Sequence, residues 1–138
     1  MSLQEFLLEA HGGWRYLVIL ATVGVMLFFA YALATKNTKE KQESTALKIW
    51  AGIMDMQLLL GLVLLIYYFI EGLHRAQLIG HWTLGIVAVF IAHIPTIYRR
   101  LNGKPNAQTR RIMGLVLPIL AFLTIYFGLA AIERGLFG

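Results

Sequence analysis

Four long apolar stretches, residues 14–34, 49–70, 82–98 and 112–132, leave this chain little choice of fold. Each falls within the roughly 17–25 residues that a helix needs to cross a bilayer core of about 30 Å. Water is absent there, so backbone N–H and C=O groups must be satisfied inside the chain, by helices or a closed barrel. Barrel strands would be about half as long. The sequence therefore predicts an all-α integral membrane protein with four spans in one domain, residues 1–138. Short connections make neighbouring spans antiparallel, which gives an up-down-up-down four-helix bundle.

Composition agrees. Charged residues are 14% of the chain and hydrophobic residues 59%, against about 25% charged in soluble domains, and the mean hydropathy is +0.70. Lys36, Lys39, Lys41 and Lys48 follow the first stretch, and Arg99, Arg100, Lys104, Arg110 and Arg111 follow the third. Nine of the twelve basic residues thus lie on one side, and only Arg15, Arg75 and Arg134 on the other. The positive-inside rule makes the nine-charge side cytoplasmic and puts both termini outside, in a cytoplasmic (inner) membrane. The net charge of +5 is then explained by insertion and anionic lipid, without nucleic acid as a partner. Cysteine is absent, which excludes disulfides, iron–sulfur clusters and covalent c-type haem.

The N-terminus lacks the basic start of a signal peptide. Ser2 and Glu5 have capping-box spacing, so a short amphipathic helix is expected over residues 2–11, near the outer interface, before Gly12-Gly13. Ser44 or Thr45 is the expected N-cap of the second span. Pro95 lies near the inner end of the third span, and Pro118 is expected to kink the fourth.

The polar residues near the spans form two layers. His11, Arg15, His74, Arg75, His81, Glu133 and Arg134 fall in an outer one, Asp55 and His93 in an inner one. Asp55 comes seven residues after Lys48 and His93 six before Arg99, so both lie roughly 10 Å inside the cytoplasmic boundary. An ionisable group there costs about 2–3 kcal/mol even on the lenient scale. Asp55 is therefore expected to face the bundle as a buried polar pair with His93, either a packing staple or a proton relay. Gln57 lies about 200° around the helix from Asp55, on the face of Gly61, and belongs to a different contact.

A b-type haem in a helical bundle takes one imidazole from each of two helices. His11 and His81 begin different spans on the same side and are the candidate axial ligands of the haem iron, with Arg15 as a propionate partner. Interfacial capping is the alternative role for these histidines. His81 and His93 are twelve residues apart, about 18 Å along a helix and about 120° around it, which argues against two stacked haems. No serine lies in a span, and no phosphate loop or His-Glu-x-x-His run is present, so no catalytic residues are assigned.

At His11-Gly12-Gly13-Trp14-Arg15, Asp55-Met56-Gln57 and His81…His93 the chain resembles a family of small four-span bacterial membrane proteins without an assigned activity. The resemblance covers nearly the whole length and implies that these residues form one pattern. The chain departs from that pattern at Trp82, where Pro is expected. A looser likeness to bacterial four-helix b-type cytochromes of electron transport is limited to helix count and histidine placement. The leading expectation from the histidines is a small redox protein with one haem b near the outer face, exchanging electrons with a quinone or an outer carrier. The alternatives are an accessory subunit of a larger membrane complex, or a proton-coupled carrier using Asp55 and His93.

The charge split makes topology testable. Reporter fusions after Lys39 and after Lys104 should read cytoplasmic, and a fusion at Gly138 outside. A cytoplasmic reading at Gly138 would overturn the orientation.

Overall fold

The computed structural model describes residues 1–73 and 76–132. His74, Arg75, Glu133 and Arg134, all assigned to the outer layer above, lie outside the described residues. Four helices follow in order, α1 Leu3–Thr35, α2 Glu40–Ile70, α3 Ala76–Asn102 and α4 Ala107–Ala130. No strand occurs among the described residues. All four helices are long and apolar enough to cross a membrane. Large apolar side chains stand on the outside, such as Leu20, Leu27, Phe69 and Phe90, each at least 60% exposed. A soluble bundle would bury such residues; lipid makes their exposure favourable.

The helix ends show why the connections are so short. Ser2 caps α1 through the expected box: its hydroxyl accepts from the Glu5 N–H at 3.2 Å, and Glu5 accepts from the Ser2 N–H at 2.7 Å. The separate N-terminal helix expected over residues 2–11 is not present. α1 runs unbroken through Gly12-Gly13, so its first turns extend the span beside α2. His11 packs on Gly61 and Leu7 is buried, and these contacts outweigh the weak helix propensity of two glycines.

Lys36 ends α1 in the left-handed region, φ 54°, its N–H bonded to Ala32 O. α2 then starts at Glu40, earlier than the Ser44 or Thr45 cap expected. Gln42 Oε1 accepts from the Lys39 N–H at 2.9 Å, and Glu40 and Glu43 in the first turn favour the positive end of the helix dipole. Asn106 caps α4, accepting from the Thr109 N–H at 2.8 Å. α3 and α4 continue through Pro95 and Pro118.

The helices form a ring in which α1 packs on α2 and α4, and α3 on α2 and α4. α2 also touches α4 across one diagonal, whereas α1 and α3 share no Cα approach within 8 Å across the other. The core holds Val18, Phe29, Trp50, Met54, Ala88 and Ala121. Its polar atoms are used internally. The Trp50 indole donates to Thr22 Oγ1 at 3.0 Å, and Thr22 donates to Val18 O at 2.7 Å. The Trp14 indole donates to Ile53 O at 3.0 Å. Both indoles thus bind α1 to α2 in a medium where an unmet N–H is costly.

The closest packing is between α1 and α4. Phe29 is fully buried, and a Cβ at Gly114 would lie 2.3 Å from its ring. Gly114→Ala should therefore lower the thermal unfolding temperature in detergent, by a loss on the order of 1–3 kcal/mol. Gly24→Ala is the control, because a Cβ there meets nothing within 4 Å. Equal stability of the two variants would refute the close approach.

Candidate functional site

His11 on α1 and His81 on α3 reach across the open diagonal. Their ring centroids are 6.0 Å apart and their planes lie at 87°. Each ring is held by a neighbour on another helix. His81 Nδ1 lies 3.0 Å from Gly128 O on α4. A carbonyl only accepts, so Nδ1 carries the proton, and in the neutral ring Nε2 keeps its lone pair. On the other side the Gln57 amide of α2 donates to His11 O at 3.2 Å and lies 3.3 and 3.4 Å from the two ring nitrogens. Gln57 Oε1 is buried without a hydrogen-bond partner among the described residues.

Glycines make these approaches possible. A Cβ at Gly61 would stand 3.0 Å from His11 Cε1, tight for any contact. At Gly128 a Cβ would meet the His81 carbonyl oxygen at 3.5 Å and Leu84 Cβ at 3.4 Å, which is ordinary contact. Gln57 and Gly61, one turn apart, thus face α1 together, as their shared face suggested. Gly128 escaped sequence reasoning, since a glycine in an apolar run carries no mark of the side chain that will pack on it.

The depth of the pair differs from the expected outer boundary. Gly61 lies twelve residues past Ile49 and nine before Ile70, so the His11 ring stands near the middle of α2's apolar length. The reason is the extension of α1, whose first three turns fill the half away from the basic loops, alongside α2. Arg15, one turn further along α1, donates from Nη2 to the Tyr16 hydroxyl at 3.1 Å and lies 5.0 Å from that ring's centroid. No group of three or more His, Cys, Asp or Glu side chains suited to a metal occurs among the described residues.

Asp55 and His93 pair as their matched depth implied, with His93 Nε2 2.7 Å from Asp55 Oδ1. The expected burial does not hold, however. The side chains are 37% exposed for His93 and 50% for Asp55. The pair sits on the outer side of the seam between α2 and α3, because the inward positions of both helices are taken by Met54, Ala51, Ala88 and Ala92.

A second ionic cluster was not foreseen. Glu43 is fully buried and accepts from Arg110 Nε at 2.5 Å, Arg111 Nε at 2.6 Å and the Thr38 hydroxyl at 2.7 Å. Arg111 Nη2 also donates to Thr38 O at 3.2 Å. In the sequence Glu43 is one acid among the polar residues between the first two apolar stretches. Its signal was the adjacent Arg110-Arg111 pair, whose two guanidinium groups in an apolar setting require an acid.

The Asp55–His93 contact can be weighed by a double-variant cycle of Asp55→Leu and His93→Leu, read as thermal unfolding in detergent. A half-exposed pair should show a coupling of about 0.5–1 kcal/mol. Strictly additive effects would remove the pair.

No protein-family model matches the chain, and no curated protein or solved structure is similar enough to lend it a family.

Proposed function

We propose that this chain is a small redox protein of a bacterial cytoplasmic membrane, holding one b-type haem between His11 and His81 and exchanging electrons with a quinone or an outer carrier. The observation that carries the reading is the meeting of the two imidazoles. One imidazole from each of two helices is the donor set that a b-type haem would take. The two ring centroids lie 6.0 Å apart, and the rings come from diagonal helices whose backbones stay apart.

The surrounding residues suit the role. Gly128 O holds the His81 tautomer whose Nε2 is free to ligate, as carbonyl partners do for metal-bound histidines. Gln57 orients His11 from the other side, and Gly61 lets that ring lie close to α2. A bis-imidazole haem would supply a one-electron iron couple, with the bundle's apolar surroundings tuning its potential. His93, about 18 Å along α3 from His81, takes no part in this ligation.

A second reading is an accessory subunit of a larger complex. The half-exposed Asp55–His93 pair favours it, because a covering subunit would remove an ion pair from lipid.

Protein expressed with ample haem and purified in detergent should show, when reduced, the sharp visible bands of six-coordinate haem. His11→Ala and His81→Ala should abolish or shift them, and His93→Ala should leave them unchanged. Colourless protein would overturn the haem reading and leave the subunit reading in its place.

A further inference from the structure

We propose that a cleft at the basic end of the bundle binds a phosphate group, that of an anionic phospholipid headgroup. This inference does not depend on haem. The cleft has a volume of about 120 Å³ and opens where α2, α3, α4 and the loop between α3 and α4 meet. Lys48, Arg99, Lys104 and Arg110 line it, with Glu40 as the acid among the lining residues.

The charges do not cancel. Lys104 is engaged by Glu40 at 2.7 Å, and Arg110 by Glu43 at 2.5 Å. Lys48 and Arg99 form no ion pair among the described residues. They come from different helices, α2 and α3, and line one cleft. Two cations outside these ion pairs suit one phosphodiester or phosphomonoester, and a guanidinium can take two phosphate oxygens at once.

The floor decides between the two sources of phosphate. Leu47, Ala92 and Met113 form it, and the four helices below continue into lipid-facing apolar surface. A free phosphate would leave that floor unused. A phospholipid would set its headgroup on Lys48 and Arg99 and run its acyl chains along the apolar surface beyond. Basic pockets between spanning helices recognise anionic headgroups in this way. Pro95 also lines the cleft. It lacks an N–H for the Ile91 carbonyl and so loosens the helix on that wall.

The test measures thermal stability of the delipidated protein in neutral detergent. Phosphatidylglycerol, phosphatidylcholine with the same acyl chains, and inorganic phosphate are titrated separately. Phosphatidylglycerol should give a saturable rise in unfolding temperature and phosphatidylcholine none. Each removed cation should weaken binding roughly five-fold, so Lys48→Ala with Arg99→Ala should weaken it about 25-fold. Lys41→Ala with Arg100→Ala removes the same charge outside the cleft and should change it by less than about two-fold. Lys48→Arg with Arg99→Lys should retain binding, which separates loss of the site from loss of the fold. A cleft-dependent rise with inorganic phosphate of the same size would overturn lipid as the source. Equal weakening by the two alanine pairs, or an equal response to phosphatidylcholine, would overturn the site.

Discussion

In hydrocarbon an unpaired polar group has no water to turn to, and the packing of this bundle follows from that constraint. The apolar effect that drives soluble helices together is weak between lipid-exposed helices, because a lipid tail solvates leucine as well as a neighbouring leucine does. What remains is close packing and polar contact. The polar side chains within the spans accordingly bridge helices. Trp14 and Trp50 tie α1 to α2, Gln57 ties α2 to α1, and His81 ties α3 to α4. Each contact satisfies a donor while it sets the register of a pair.

Glu43 performs this task at the basic end. It joins the start of α2 to the start of α4 across a diagonal, and through Thr38 it fixes the first connection. A carboxylate buried there is tolerable only with both arginines in place. Removal of one partner from such a buried cluster costs on the order of 3–5 kcal/mol. Close packing does the corresponding work between α1 and α4, where Gly114 admits the Phe29 ring.

These contacts leave the bundle asymmetric. α2 and α4 approach one another across the axis, and α1 and α3 do not. The wider diagonal is where His11 and His81 meet, so the same feature that separates two backbones also makes room for a group between two imidazoles. The seam between α2 and α3 carries the unusual chemistry of the surface: a half-exposed Asp55–His93 pair, and toward the basic end the cleft between Lys48 and Arg99. The haem reading concerns the middle of the bundle and the phosphate reading its basic end, and the two stand on separate residues.

The sequence by itself determined the number of helices, because a bilayer demands continuous apolar length and leaves that length plainly visible. It also determined that Asp55 and His93 would meet, since two polar residues at equal depth on adjacent spans are each other's nearest recourse. Only the tertiary structure decided which way faces turn. Helices that are apolar all round carry no amphipathic stripe to mark an inner side. The outward placement of Asp55–His93 and the approach of Gly114 to Phe29 were therefore not legible. The depth of His11 was also decided there, because Gly12-Gly13 permits either a bend or a continuous helix, and packing against Gly61 selects the latter. Glu43 was hidden for a further reason: its partners lie 67 and 68 residues away, and a buried cluster and a solvated loop look the same in sequence.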